Sequence, residues 1–174
     1  MHLYLIGFRG SGKTTVGSLL ADAIQLPFYD LDQLIQAHSG RNIAVIFSEL
    51  GEASFRELET SLLTKVAAES PAVISLGGGA CLAERNRSTI KLSGRAVWLR
   101  AEPEMLWSRI QNDPQSTTTR PALTQFGGLE EVRRLLELRE STYAACADYV
   151  IDTGAVTPLD AATEIARWWR DADK

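Results

Sequence analysis

The chain of 174 residues lacks most of the features that mark secreted, membrane and nucleic-acid-binding proteins. Its two cysteines, Cys81 and Cys146, are far apart in sequence and form no CxxC motif, so we expect reduced packing residues in a cytoplasmic protein. No apolar run approaches the roughly 20 residues that span a bilayer. A β-prone run already begins at Leu3, so we expect no signal peptide. The formal net charge of −4 argues against nucleic acid as the main partner, because such proteins usually carry a basic patch.

Short β-prone runs alternate with helix-compatible stretches along the whole chain. The runs are Leu3–Ile6, Phe28–Asp30, Val73–Leu76, Ala96–Leu99 and Tyr149–Ile151. The stretches are Thr14–Ile24, Gln33–His38, Ile43–Glu49, Glu52–Ala68, Glu84–Leu92, Pro103–Asn112, Leu129–Cys146 and Pro158–Arg170. Most of the runs are continuously apolar, which is typical of strands covered on both faces. The alternation predicts an α/β three-layer sandwich in one domain, 1–174, whose five-stranded parallel sheet carries helices on both faces.

Residues 7–14 read GFRGSGKT, a complete G-x-x-x-x-G-K-[ST] phosphate-binding loop. The loop follows the first apolar run and opens a helix, so its backbone N–H groups and the helix dipole both favour a phosphate. Lys13 can reach the β- and γ-phosphates, and the Thr14 hydroxyl can ligate Mg²⁺. The loop predicts binding of a nucleoside triphosphate and leaves its use open.

Asp30 and Asp32 end the second β-prone run. In a transfer enzyme one of these carboxylates could hold Mg²⁺ through water, and the other could accept a proton from an attacking hydroxyl. Asp32 is equally well placed to cap a helix that begins at Gln33, and the two roles are compatible.

Gly77, Gly78 and Gly79 follow the third run, after Ser75. Three glycines form either a sharp turn or a segment whose backbone closely approaches a ligand. Their position after a central strand favours the ligand-binding interpretation.

Arg139 interrupts an apolar stripe on its predicted helix. An inward-facing arginine needs an anionic partner, because an unpaired buried charge is costly. The partner is either a substrate carboxylate, bound in bidentate geometry, or a protein carboxylate such as Asp148 or Asp152.

Arg56 has Glu52 and Glu59 at helical spacing on either side. From this spacing alone a solvated ion pair is the favoured interpretation.

The polar stretch at about 113–128 is too long for a routine connection between elements. Such a segment is either a functional lid or a floppy linker, and Arg120 beside Pro121 in a chain with a phosphate-binding loop favours a mobile lid.

Taken together, these motifs resemble shikimate kinase, a family with the nucleoside monophosphate kinase-like P-loop fold. The resemblance runs through GFRGSGKT, FYDLD, Phe55-Arg56, SLGGG, Arg120-Pro121, Arg139 with Tyr143, and Ile151-Asp152-Thr153 before Pro158. It implies transfer of the ATP γ-phosphoryl group to the 3-hydroxyl of shikimate, with Mg²⁺, on the route to chorismate and the aromatic amino acids. The expected partners are therefore ATP and shikimate, with no nucleic acid and no membrane, and the chain is expected to be a monomer.

The resemblance also implies a role for individual residues. Asp32, Lys13 and Arg120 would be catalytic, and shikimate would be bound by Asp32, Arg56, Gly78, Gly79 and Arg139. ATP would be bound by Gly10, Ser11, Gly12, Lys13, Thr14, Thr15, Arg109, Arg120 and Pro158. Thr14 and Asp30 would hold the metal, with Ser75 acting through water. Two positions depart from the family pattern, Ala122 after Arg120-Pro121 and Val156 before Pro158, and both bear on ATP affinity.

Three other functions deserve comparison. A gluconate kinase of the same fold would also place two arginines on an acid, but the D-x-D, F-R and GGG set favours shikimate. A non-catalytic ATP-binding regulatory module would be suggested by loss of Lys13, Asp32 or Arg120, and all three are present. A GTPase would need a guanine-reading N-K-x-D segment, which the sequence lacks.

Overall fold

A parallel β-sheet forms the centre of the computed structural model, which describes residues 1–113 and 128–172. Its strands are β1 (His2–Ile6), β2 (Phe28–Asp30), β3 (Val73–Ser75), β4 (Gly94–Arg100) and β5 (Tyr149–Asp152). They are ordered β2–β3–β1–β4–β5, and every neighbouring pair is parallel. The five-stranded parallel sheet predicted from the alternating pattern is therefore confirmed.

Helices cover both faces of this sheet. They are α1 (Lys13–Ile24), α2 (Leu31–Ser39), α3 (Ile43–Ala67), α4 (Glu84–Ser93), α5 (Pro103–Asn112), α6 (Gly128–Cys146) and α7 (Pro158–Ala172), with a 3₁₀ turn at Ala80–Leu82. None of the helices within the described residues is long and apolar enough to cross a membrane.

The central strand β1 supplies both hydrophobic layers of the core. Leu3 and Leu5 pack with residues of α1 and α7 on one face, whereas Tyr4 and Ile6 pack with α2, α3 and α4 on the other. Successive side chains of a strand point to opposite faces, so a strand covered on both sides needs a continuous apolar run. Each buried Leu or Ile contributes about 1.5–3 kcal/mol, which makes β1 a rigid base for the loop that follows it.

The start of α2 differs from the sequence prediction. The helix α2 begins at Leu31, and its N-cap is Asp30, whose Oδ1 accepts hydrogen bonds from the backbone N–H groups of Asp32 and Gln33 at 3.1 and 3.3 Å. The prediction that Asp32 caps a helix starting at Gln33 is therefore wrong. The two helices predicted at 43–49 and 52–68 are confirmed as the two parts of α3, which are separated at Gly51, whose φ of 81° lies outside the helical region.

The strand register brings the sequence motifs to one edge of the sheet. Ser75 is paired with Asp30 of β2 and with Leu5 of β1, so these strands end at the same level. The phosphate-binding loop follows β1, and the glycine segment follows β3. Because all strands are parallel, the loops at their carboxyl ends surround a single cleft.

Candidate active site

The phosphate-binding loop borders a cleft of about 480 Å³. Gly10 and Gly12 adopt φ angles of 82° and 90°, which residues with a Cβ atom rarely adopt, and this lets the loop curl in front of α1. Lys13 Nζ donates hydrogen bonds to the carbonyl oxygens of Gly7 and Phe8 at 3.0 and 2.8 Å. The lysine is therefore folded over the loop, where a phosphate chain would enter.

Thr14 and Asp30 face each other across this cleft. Thr14 Oγ1 donates a hydrogen bond to Asp30 Oδ2 at 2.7 Å. The other carboxylate oxygen of Asp30 caps α2, which fixes the orientation of the side chain. Ser75 lines the same cleft and is buried. The structure thus brings the three predicted metal-site residues to one place.

Asp32 lies where two cavities meet. The first is the large cleft beside the phosphate-binding loop, and the second is a smaller pocket of about 70 Å³. Asp32 and Gly78 line both of them, and Asp32 is 8% exposed. A carboxylate at this junction can contact groups in both cavities.

The smaller pocket has an apolar wall and several charged residues. Ile43, Phe47 and Phe55 form the apolar part. The remaining lining residues are Arg9, Asp32, Arg56, Glu59, Gly77, Gly78, Gly79 and Arg139. This combination suits a small molecule that carries an apolar ring and a negative charge.

Arg139 reaches the pocket from α6. Its Nη1 donates to the carbonyl oxygen of Gly78 at 3.4 Å, and its guanidinium lies 5.5 Å from the centre of the Phe8 ring. The hydroxyl of Tyr143, one turn further along the helix, donates to the same Gly78 carbonyl. The inward orientation predicted for Arg139 is confirmed.

Neither protein carboxylate considered as a partner for Arg139 serves that purpose. Asp148 Oδ2 accepts a hydrogen bond from the backbone N–H of Ala96 at 2.8 Å. Asp152 Oδ2 accepts from Arg100 at 3.5 Å. Asp148 precedes β5 and Asp152 ends it, and each has another partner, so these two alternatives for Arg139 are wrong.

Arg56 forms the ion pairs expected from spacing, but the pairing is only partly solvated. Its Nη2 lies 3.3 Å from Glu52 Oε1, which is exposed, and its Nη1 lies 2.8 Å from Glu59 Oε2, which is buried. Burial raises the pKa of Glu59 to about 7, although the adjacent Arg56 opposes this rise. A Cβ atom at Gly79 would lie 2.8 Å from Arg56 Cζ, so the guanidinium packs closely against this glycine and would have to shift to admit a side chain.

Arg109 connects the phosphate-binding loop with the segment after β5. Its Nη1 donates to the Gly10 carbonyl at 3.4 Å and to Thr153 Oγ1 at 3.2 Å, and its Nη2 donates to the Thr153 carbonyl at 2.7 Å. A further pocket of about 180 Å³ lies beside it and includes Val156 and Pro158. The predicted adenine-side residues are therefore neighbours.

Two predicted features lie outside the described residues. Arg120 and Pro121 belong to the segment 114–127, so the lid predicted at about 113–128 stays a prediction.

Sequence reasoning missed the burial of Glu59 and the proximity of the two cysteines. Glu59 shares the buried face of α3 with Phe55 and Leu62. A charged residue at the helical spacing of apolar neighbours is the same pattern that predicted the inward orientation of Arg139, so the sequence did contain a sign of this burial. Cys81 and Cys146 form a hydrogen bond between their thiols, a contact between distant segments that no local pattern reveals.

Comparison with known proteins points to one family. The family described as shikimate kinase matches residues 9–170. A shikimate kinase from Rhodopirellula baltica is 42% identical over 166 residues, covering 95% of this chain and 89% of that protein. A shikimate kinase from Acinetobacter baumannii, solved in complex with shikimate, has a TM-score of 0.91 at 32% identity and covers 98% of this chain and 93% of that chain. A gluconokinase from Sinorhizobium meliloti has a TM-score of 0.55 at 15% identity, covering 99% of this chain and 97% of that chain, a likeness of fold alone.

Proposed function

The chain belongs to the shikimate kinase family, and on this basis we propose that it transfers the γ-phosphoryl group of ATP to the 3-hydroxyl of shikimate. The products are shikimate 3-phosphate and ADP, an intermediate and a by-product of the route to chorismate and the aromatic amino acids.

The observation that carries this proposal is the junction of two cavities at Asp32 and Gly78. The larger one borders the phosphate-binding loop, and its volume of about 480 Å³ lies within the usual range of small-molecule sites. The smaller one carries Arg56 and Arg139 against an apolar wall. A donor and an acceptor bound in these cavities meet beside the Asp32 carboxylate, as an in-line transfer requires.

The donor half of the proposed site comes from the loop, α1 and α5. Backbone N–H groups of Gly10, Ser11 and Gly12 face the phosphates, and Lys13 moves from the loop carbonyls to the β- and γ-phosphates. Arg109 and Pro158 border the adenine, with Thr15 between them and the phosphates. Arg120, from the predicted lid, stabilises the negative charge on the transferred phosphoryl group.

Thr14 and Asp30 fit a magnesium ion. A hydroxyl and a carboxylate oxygen 2.7 Å apart at the nucleotide cleft are the hard oxygen donors that Mg²⁺ prefers, with phosphate oxygens and water as its other ligands. When bound, Mg²⁺ neutralises charge on the β- and γ-phosphates. Asp30 is held for this role by its two backbone hydrogen bonds, and Ser75 contributes through water.

The acceptor half orients shikimate by its charged and polar ends. Arg56 and Arg139 bind the carboxylate, while the Gly78 and Gly79 backbone closes against the ring. The hydroxyls point toward Asp32, whose carboxylate accepts a hydrogen bond from the 3-hydroxyl. During transfer the same carboxylate accepts the proton of that hydroxyl. General-base assistance of this kind contributes about 10²–10⁴ in rate.

These groups all come from one chain, which supports the proposal that a monomer is sufficient for activity. The two cysteines are unbridged, in keeping with a cytoplasmic protein supplied with ATP.

A coupled assay of ADP release, run with shikimate and gluconate in parallel, tests the function. We expect ADP release that depends on shikimate and a phosphorylated shikimate detectable by mass spectrometry. Faster turnover with gluconate would assign the chain to another acid kinase. ATP binding without shikimate-dependent ADP release would instead indicate a regulatory module.

A further inference from the structure

Glu59 is a buried carboxylate in the acceptor pocket with only one of its oxygens paired. Its Oε2 accepts a hydrogen bond from Arg56 at 2.8 Å. Its Oε1 is inaccessible to solvent and has no hydrogen-bond partner within residues 1–113 and 128–172. A Cβ atom at Gly77 would lie 2.8 Å from Glu59 Oε1 and 2.9 Å from Asp32 Oδ1, so both carboxylates face the same glycine.

The charged groups around Glu59 come from every element packed against it. On α3 these are Arg56 and Glu52, and the other elements contribute Asp32 from α2, Arg139 from α6 and Arg9 from the phosphate-binding loop. The hydrogen bond to Cys146, together with burial, raises the pKa of the nearby Cys81 thiol, and burial raises the pKa of the Tyr143 phenol, so both groups stay neutral at physiological pH. Arg56 hydrogen-bonds Glu59 directly and favours its charged form.

Binding of an anionic acceptor favours the protonated form of Glu59 over its charged form. The acceptor carboxylate adds a negative charge beside Glu59 and competes for the donors of Arg56. It also displaces water from a pocket of only about 70 Å³. Each of these changes disfavours a charged buried carboxylate. If Arg56 turns to the acceptor, water can replace it as the partner of the exposed Glu52 at little cost. Water cannot replace it at the buried Glu59.

We propose that Glu59 takes up one proton from solvent when the acceptor carboxylate binds, so that acceptor binding is coupled to protonation of this residue. The only bond formed is the carboxyl O–H, and the proton comes from the acidic form of the buffer. The new O–H provides a donor in a region where the Oε1 atom has no partner among the described residues. The inference rests on the proposed function for the identity of the acceptor.

The pKa of about 7 in the free protein makes the coupling measurable near neutral pH. Because protons are taken up on binding, acceptor affinity falls as the pH rises through and above 7. The slope is at most tenfold per pH unit, and we expect the shikimate Kd to rise roughly three- to tenfold between pH 7 and 8.5. A carboxylic acid such as shikimate itself titrates near pH 4, well outside this range.

Isothermal titration calorimetry of shikimate in phosphate and in Tris at pH 7.5 counts the protons. The two buffers differ in ionisation enthalpy, so the difference in observed heat gives the number taken up. We expect roughly half a proton or more for the wild-type chain and for Glu52→Gln, the matched control on the same arginine. We expect close to none for Glu59→Gln, whose ADP binding serves as the folding control.

Infrared difference spectra of the wild-type chain provide a second measurement that does not depend on a Glu59 variant. Adding shikimate should produce the C=O band of a protonated carboxyl group. No proton uptake by the wild type, or equal uptake by Glu59→Gln, would overturn the inference while leaving shikimate turnover intact. Absence of shikimate binding to the wild type would overturn both the inference and the proposed function.

Discussion

Thr14 and Asp30 are joined by a hydrogen bond of 2.7 Å, which connects the start of α1 to the end of β2. One oxygen of Asp30 faces the nucleotide cleft through this bond, and the other caps α2. The capping bonds fix the carboxylate, so its position in the cleft does not depend on a bound ligand. The same residue therefore connects helix formation with the proposed metal site.

Asp30→Asn should weaken Mg²⁺ binding by the enzyme without unfolding α2. Asparagine is as good an N-cap as aspartate, but it lacks the charge that attracts a cation. We expect the Mg²⁺ concentration for half-maximal activity to rise about tenfold, a loss of roughly 1.4 kcal/mol. Titration of Mg²⁺ in the ADP-release assay measures this, with Asp22→Asn, an exposed carboxylate on α1, as control. An unchanged requirement would assign the ion to other oxygens.

Asp32→Asn should reduce kcat by about 10²–10⁴ and leave the KM for ATP within about threefold. Asp30, not Asp32, caps α2, so the substitution removes the carboxylate without removing the cap. Steady-state kinetics with each substrate varied in turn measure the effect. A near-normal kcat would rule out Asp32 as the group that accepts the hydroxyl proton.

The sequence predicted the sheet because its apolar runs are long enough to be covered on both faces, and the phosphate-binding loop because its chemistry is local. Arg139 was also recognisable, since a charge on an apolar stripe requires a partner inside the protein. The burial of Glu59 could have been recognised in the same way, because Glu59 has the helical spacing of Phe55 and Leu62. The contact of Arg56 with the glycine segment could not, because it depends on how α3 packs in three dimensions.

Arg139→Ala should mainly weaken shikimate binding. Truncating one partner of a buried, hydrogen-bonded charge pair costs about 2–5 kcal/mol, so we expect the shikimate KM to rise by roughly 30-fold or more. Arg134→Ala is the matched control, because Arg134 lies on the same helix and is exposed. An unchanged KM in the Arg139 variant, with the ATP KM also unchanged, would make Arg139 a structural residue.

Glu59→Gln should stabilise the free protein at alkaline pH. The folded-state pKa of about 7 lies above the ordinary value near 4.3, so the contribution of Glu59 to stability is complete below pH 4.3 and is lost as the pH rises through 7. Glutamine stays neutral throughout, which favours the variant by about 4 kcal/mol at most. The Tm difference from wild type should widen by on the order of 5 °C between pH 5 and 8.5. Glu52→Gln, which changes an exposed partner of Arg56, should show no such widening.

Cys146 should react with iodoacetamide well before Cys81. The hydrogen bond from the Cys81 thiol lowers the pKa of Cys146, and the cations of Arg87 and Lys91 act in the same direction. The hydrogen bond to Cys146 and burial together raise the pKa of Cys81 well above its usual value. Thiolates are the reactive form, and Cys146 is also the more exposed of the two.

Mass spectrometry of the native protein at pH 8 should therefore find a single alkylated cysteine, Cys146, with Cys81 modified only after denaturation. Cys146→Ser provides the control, because the native variant should then remain almost unlabelled. Equal labelling of both cysteines in the wild type would mean that Cys81 becomes accessible in solution. The 3₁₀ turn at Ala80–Leu82 would then open on the labelling timescale, and the glycine segment before it would lack the rigid support that the proposed acceptor site requires.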